Sequence, residues 1–101
     1  MLDPEVGHEQ GGRRPSIILS SDDFNHLELG LVVVVPVTTS ARGYPTHVPL
    51  PVGAGGLERR SFAMTEQIRV VSVQRFRRRI GRIDQVTMRE LRFNMFVLLD
   101  V

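Results

Sequence analysis

The segment Leu29 to Thr38 reads Leu-Gly-Leu-Val-Val-Val-Val-Pro-Val-Thr. Four consecutive valines without polar alternation predict a strand buried on both faces. Pro36 has no backbone N–H, so it belongs at an edge position or a bulge near the end of that strand. Ser16 to Ser20 is a short β-branched strand. Thr46 to Leu50 alternates, with Val48 and Leu50 on one face, and predicts another. Ser61 to Met64 and Gln67 to Ser72 read as two short strands or one bent strand. Val73 to Phe76 suits a single helical turn, and Arg77 to Ile83 a strand with an exposed Arg face. Between these runs lie polar or Gly-rich connections: Met1 to Pro15, Ser21 to His26, Thr39 to Pro45 and the loose turn Gly53 to Gly56.

The pattern changes period after Asp84. Met88, Leu91, Met95 and Leu98 recur at helical spacing, and Asp84 stands where an N-cap carboxylate would accept backbone N–H groups. Short strands followed by one terminal helix predict a mainly β fold: a small, curved sheet or open barrel closed by the C-terminal helix. The chain has 101 residues, enough for one domain, residues 1–101, near the small end for a self-sufficient core. Sharing core surface with a second copy in a homodimer is therefore a reasonable expectation.

Charge adds a direction. Residues 1–30 carry six acids and two Arg, whereas residues 59–92 carry ten Arg and three acids. An acidic front and a basic back suit a polyanion-binding face, although a solvated basic face accounts for the same numbers. Lys is absent, and Arg is the better bidentate partner for phosphate. The longest strongly apolar run, Leu29 to Val37, is nine residues, about half of the roughly 20 that a membrane-spanning helix needs. Acids at the N-terminus do not suit a secretory signal, so a cytoplasmic protein with no membrane partner is expected.

Several chemistries find no residues here. There is no Cys, which excludes disulfides, thiol catalysis and thiolate metal sites. His8, His26 and His47 share no metal-ligand spacing, and no cluster of carboxylates suggests a metal-dependent nuclease. Gly53-Ala54-Gly55-Gly56 lacks the Lys-Ser/Thr that completes a phosphate loop. The expectation is a protein without metal or other cofactor, working through Arg, Thr, Ser, Gln and backbone donors.

Three segments, in order, resemble one family. Val6 to Pro15 (Val-Gly-His-Glu-Gln-Gly-Gly-Arg-Arg-Pro) and the strand after it are similar to a "GSEQGG-x-RP" loop. Pro36-Val37-Thr38-Thr39-Ser40 with Arg42-Gly43-Tyr44-Pro45 resembles "P-[IVC]-T-[ST]-x-x-x-GYP". Ser61 to Arg69, ending Glu66-Gln67-Ile68-Arg69, resembles "DS-V-A-x-x-[DE]Q-[IV]-[RK]". Each motif alone is weakly specific. Together, at compatible spacing over nearly the whole chain, they identify the MazF/PemK-like toxins of type II toxin–antitoxin systems.

That resemblance implies an SH3-like small β-barrel of the kind shared with CcdB. It implies a homodimer that cleaves single-stranded RNA at short sequence motifs without a metal, leaving 2′,3′-cyclic phosphate and 5′-hydroxyl ends. It implies a cognate antitoxin, with DNA approached only through that antitoxin. The family's key arginine and threonine map onto Arg14 and Thr38 as catalytic residues. Glu9, Gln10, Thr39, Arg42, Gln67 and Arg69 are candidates for the RNA path. The chemistry agrees: a planar guanidinium holds two phosphate oxygens and resists deprotonation, which suits a charge stabiliser or proton donor better than a base, and a threonine hydroxyl can donate to a phosphate oxygen and orient it. The base stays open between Glu9 and a backbone carbonyl acting through water. Tyr44 is either a stacking platform for a base or a packing plug.

Departures from the pattern matter as well. Met1-Leu2-Asp3-Pro4 matches only the tail of the family's usual first strand, so a barrel short of that strand is expected. His8 stands where Ser is common, and Arg60 where Asp is usual. Phe93 and Phe96 make the last helix bulky, which suits an interface. Two other readings therefore stand beside the ribonuclease. One is a non-catalytic relative that binds RNA or antitoxin. The other is a toxin aimed at a protein, like the gyrase poisons of this fold.

Overall fold

The computed structural model describes residues 5–9, 14–21, 24 and 29–99, and only the backbone of residues 5–9 and of Arg77. Among the described residues these elements follow in chain order: β1 (Glu5–Glu9), β2 (Pro15–Ile18), β3 (Leu31–Thr38), β4 (His47–Leu50), β5 (Ser61–Met64), β6 (Arg69–Ser72), β7 (Phe76–Arg82) and the C-terminal helix α1 (Gln85–Leu99). Three single 3₁₀ turns, Ala54–Gly56, Thr65–Gln67 and Val73–Arg75, link the later strands.

The valine-rich strand is the hub. β3 pairs antiparallel with β2 through residues 34–36, with β6 through residues 31–34 and with β5 through residues 37–38. The sheet order is β4-β5-β3-β2-β1-β7, with β6 on β3. Among the described residues no ladder joins β4 to β7, so the sheet stays open. Pro36 does not lie on an edge strand, as its missing donor suggests it should. It sits where β3 changes partner, after the last residue paired with β6 and before the first paired with β5. There the ladder is already interrupted, so a missing N–H costs little.

Burial on both faces follows the sequence pattern. Val35 and Val37 join Ile17, Val48, Leu50, Ala63, Met88 and Leu91 in the main core. Val32 and Val34 point the other way, into a smaller cluster with Ile18 and Val71. The helix closes the main core with Met88 and Leu91 and buries Met95 on the same side, while Leu98 is 40% exposed. Asp84 caps it as expected: its Oδ1 accepts from the Thr87 N–H at 2.7 Å.

One connection is a strand instead. Residues 5–9, within the segment that reads as loop, form β1 between β2 and β7, pairing Val6 with Ile17 and Gly81. Its Glu-Val-Gly-His-Glu sequence has neither β-branched enrichment nor clean alternation. The pairing comes from flanking strands that offer backbone donors and acceptors, a tertiary effect that overrides propensity. Register shifts along β7 accompany it.

Candidate active site

The ladder β2–β3–β5 assembles a cleft from three chain ends. Ser16 pairs with Pro36, and Thr38 with Phe62. The start of β2, the end of β3 and the start of β5 therefore lie side by side. A cleft of about 220 Å³ opens there, lined by Arg14, Pro15, Val37, Thr38, Thr39, Ser40 and Ser61.

Two of its hydroxyls, those of Thr38 and Ser61, are fixed by local hydrogen bonds. Thr38 Oγ1 accepts from the Ser40 N–H at 3.1 Å, a local turn that fixes the rotamer and leaves the hydroxyl hydrogen available for donation into the cleft. Ser61 is buried and its Oγ donates to the Arg59 carbonyl at 2.9 Å, tying the preceding loop to β5. Arg14 is exposed at the rim, just before the rigid Pro15. A cation and a hydroxyl donor at one opening can hold a phosphodiester.

The structure thus brings together Arg14, Thr38 and Thr39. It does not bring the other candidates to this opening. Arg42 is exposed in the loop after β3; Gln67 ends the turn Thr65–Gln67; Arg69 lies on β6 opposite Val34. None of the three lines the cleft. Gln10 lies outside the described residues, and for Glu9 only the backbone, paired with Phe76, is described. Arg60, the reversed charge, does not line the cleft; its Cζ lies over Phe62, 5.6 Å from the ring centroid. Tyr44 is half exposed and meets the His47 ring edge-on at 5.0 Å, so packing takes one side of it and leaves another open. Among the described residues no three His, Asp or Glu side chains converge as a metal site would require.

The turn that carries Gln67 is held firmly. Thr65 is fully buried, and its Oγ1 donates to the Thr46 carbonyl at 2.6 Å. Glu66 Oε1 accepts from Thr46 Oγ1 at 2.7 Å, and its Oε2 lies 3.2 Å from His47 Nε2. Burial pushes the Glu66 carboxyl up. The Thr46 hydroxyl, its own backbone N–H and His47 outweigh that, leaving it below the ordinary carboxylate value.

Sequence reasoning missed Ser61 as a cleft residue and placed Arg78 only on an exposed Arg face; it did not bring together Glu58, Arg59 and Arg78, which line an adjoining cleft of about 260 Å³. The signal for the last three was the glycine run 53–56, whose use becomes plain only when it is set against β7.

Comparison with known proteins agrees with this fold. The family model for the PemK-like, MazF-like toxin of type II toxin–antitoxin system matches residues 1–95. The endoribonuclease MazF9 of Mycobacterium tuberculosis is 37% identical over 95 residues, spanning 89% of this chain and 80% of that protein. The endoribonuclease EndoA of Bacillus subtilis is 34% identical over 88 residues, spanning 86% of this chain and 76% of its own. A crystal structure of MazE–MazF from Deinococcus radiodurans superposes with a TM-score of 0.82 at 25% identity, covering 96% of this chain and 93% of that one.

Proposed function

This chain belongs to the PemK-like, MazF-like toxins of type II toxin–antitoxin systems, and we propose that it acts as a metal-independent endoribonuclease on single-stranded RNA. The relatives it resembles along most of their length are named endoribonucleases. The observation that carries the reading is the shared cleft of Arg14, Thr38 and Thr39.

In this reading the substrate phosphate lies against the Arg14 guanidinium and the Thr38 hydroxyl. The ribose 2′-oxygen loses its proton and attacks phosphorus; the new 2′-O–P bond forms as the P–O5′ bond breaks, and the 5′-oxygen takes up a proton. The products are a 2′,3′-cyclic phosphate and a 5′-hydroxyl. Arg14 stabilises charge as it grows on the phosphoryl oxygens, and Thr38 donates to one of them and fixes its direction. Thr39 borders the path, with Glu9, Gln10, Arg42, Gln67 and Arg69 as further points of RNA contact.

The partners follow the same reading. A MazE-type antitoxin assembles with the solved relative, and a cognate antitoxin is the partner here, reaching DNA only through its own domain. Residues 1–101 act as one cytoplasmic toxin domain; among the described residues no helix is long and apolar enough to cross a membrane. A homodimer is supported by α1, which is apolar on two opposite faces. Met88, Leu91 and Met95 cover the core, while Val86, Phe93 and Val97 lie exposed on the other side, beside Phe96. An isolated helix with two apolar faces calls for a second cover.

The test is to incubate the protein with a long, unstructured RNA in excess EDTA and determine the chemistry of the ends. Discrete cuts leaving cyclic phosphate and 5′-hydroxyl ends support the reading. Cleavage that EDTA abolishes, or products with 5′-phosphates, contradict it.

A further inference from the structure

Next to the Arg14–Thr38 cleft lies the second one. Pro15, Thr39 and Ser61 line both clefts, and Glu58, Arg59 and Arg78 form the far wall of the second. At about 220 and 260 Å³, each is smaller than the roughly 300–1,000 Å³ of a usual small-molecule pocket. Two small clefts sharing a border suit a chain that passes from one into the other.

The far wall exists because two backbones touch. A Cβ added at Gly56 would lie 2.7 Å from the Ile80 carbonyl oxygen, and one at Gly81 2.5 Å from the Gly55 carbonyl oxygen. Only glycine at both positions lets the turn Ala54–Gly56 sit on β7. That approach sets Glu58 and Arg59, just after the turn, beside Arg78 of β7. Among the described residues neither Arg59 nor Arg78 is within ion-pair distance of a carboxylate, and both are exposed.

We propose that Glu58, Arg59 and Arg78 form a second RNA subsite, in which the two arginines hold the phosphate of a nucleotide one position beyond the pair joined at the cut and Glu58 selects its base. The proposal rests on the ribonuclease reading of the first cleft and extends it to sequence preference. Two guanidiniums on one wall match a phosphodiester. A carboxylate is an acceptor only, with two oxygens side by side. Guanine presents N1–H and N2–H₂ side by side, so it satisfies both oxygens, whereas the carbonyl oxygens of uracil oppose them. Guanine is the base this wall favours.

The experiment starts by mapping the cuts that the wild-type protein and Arg14→Ala make in a long random-sequence RNA. One mapped site is then synthesised with a 2′-deoxy sugar at the cut, in a short form ending one nucleotide either side and a form extended three nucleotides each way. Binding of both to wild type and to the Arg59→Ala/Arg78→Ala double variant is measured across a salt series. The expected result is a loss of about tenfold in affinity for the extended RNA and little change for the short one. The dependence of log affinity on log salt should flatten by about 0.7 for each phosphate that the variant no longer neutralises. Glu58→Gln should erase a guanine preference on one side of the cut in the map of cleavage sites. If the double variant binds extended RNA as wild type does, or weakens both forms equally, the subsite is overturned although Arg14-dependent cleavage stands. An unchanged base preference in Glu58→Gln overturns the role of Glu58. No cleavage by wild type, or full cleavage by Arg14→Ala, overturns the reading beneath it, and the subsite falls with it.

Discussion

His47 and Glu66 meet across the junction of β4 and the turn Thr65–Gln67, with Nε2 3.2 Å from Oε2. The His47 side chain is buried and that of Glu66 is partly exposed, so the pair anchors the turn from beneath. The Nδ1 atom of His47 is buried with no hydrogen-bond partner among the described residues, so Glu66 supplies the one polar contact the ring has there.

This pair sets a pH dependence. The folded-state pKa of Glu66 is lowered, because the Thr46, backbone and His47 contacts outweigh the effect of burial. A group lowered on folding adds stability above its unfolded pKa, and that contribution is lost as pH falls through the folded value. Glu66→Gln should therefore be less stable than wild type at neutral pH, by about 1 kcal/mol for the charge-assisted hydrogen bonds removed. The two should converge in acid. Urea unfolding at several pH values checks this; a constant difference from neutral pH to acid contradicts it.

Asp84 makes a similar prediction at the start of α1. The Thr87 backbone N–H, and then its side chain, lower the Asp84 carboxyl, so its capping also weakens as pH falls through that lowered value. Asp84→Ala should lower the unfolding midpoint at neutral pH, and Asp84→Asn, which still caps, should lower it less. Equal loss in both would assign the effect to charge instead of the hydrogen bond.

Gly81→Ala tests the close approach that builds the second cleft. With the Gly55 carbonyl only 2.5 Å from the new Cβ, backbone must move. Destabilisation of about 1–3 kcal/mol is expected, as for other overpacked sites. Unchanged denaturant unfolding would show that the turn yields freely.

The exposed face of α1 predicts assembly. Phe93 is 67% and Val97 65% exposed on the face away from the core. By light scattering the wild type should be a dimer, and Phe93→Ser combined with Val97→Ser should yield a folded monomer. A variant that remains dimeric would move the interface elsewhere.

Much of this was legible in the sequence. The valines of β3 and the spacing of Met88, Leu91 and Met95 reveal their elements because burial and period coincide there. Asp84 does so by side-chain chemistry. β1 was not legible, since its pairing depends on β2 and β7 and not on its own residues. Of the residues that line the Arg14–Thr38 cleft, motif resemblance singles out Arg14, Thr38 and Thr39. Glu58, Arg59 and Arg78 were not legible as a group, because they meet only through the Gly56 and Gly81 approaches. A reading of glycines as places where backbones touch would have pointed to them.

The most direct test of the central claim is single-turnover cleavage of one mapped RNA site by wild type, Arg14→Ala and Thr38→Ala, with denaturant unfolding measured alongside. Both variants should unfold like wild type, since Arg14 is exposed and Thr38 is only half-buried at the strand end. Each should cleave about 10²-fold or more slowly, the usual cost of removing one preorganised donor to developing charge. Cleavage at the wild-type rate by either correctly folded variant would contradict the assignment of this cleft as the place where RNA is cut.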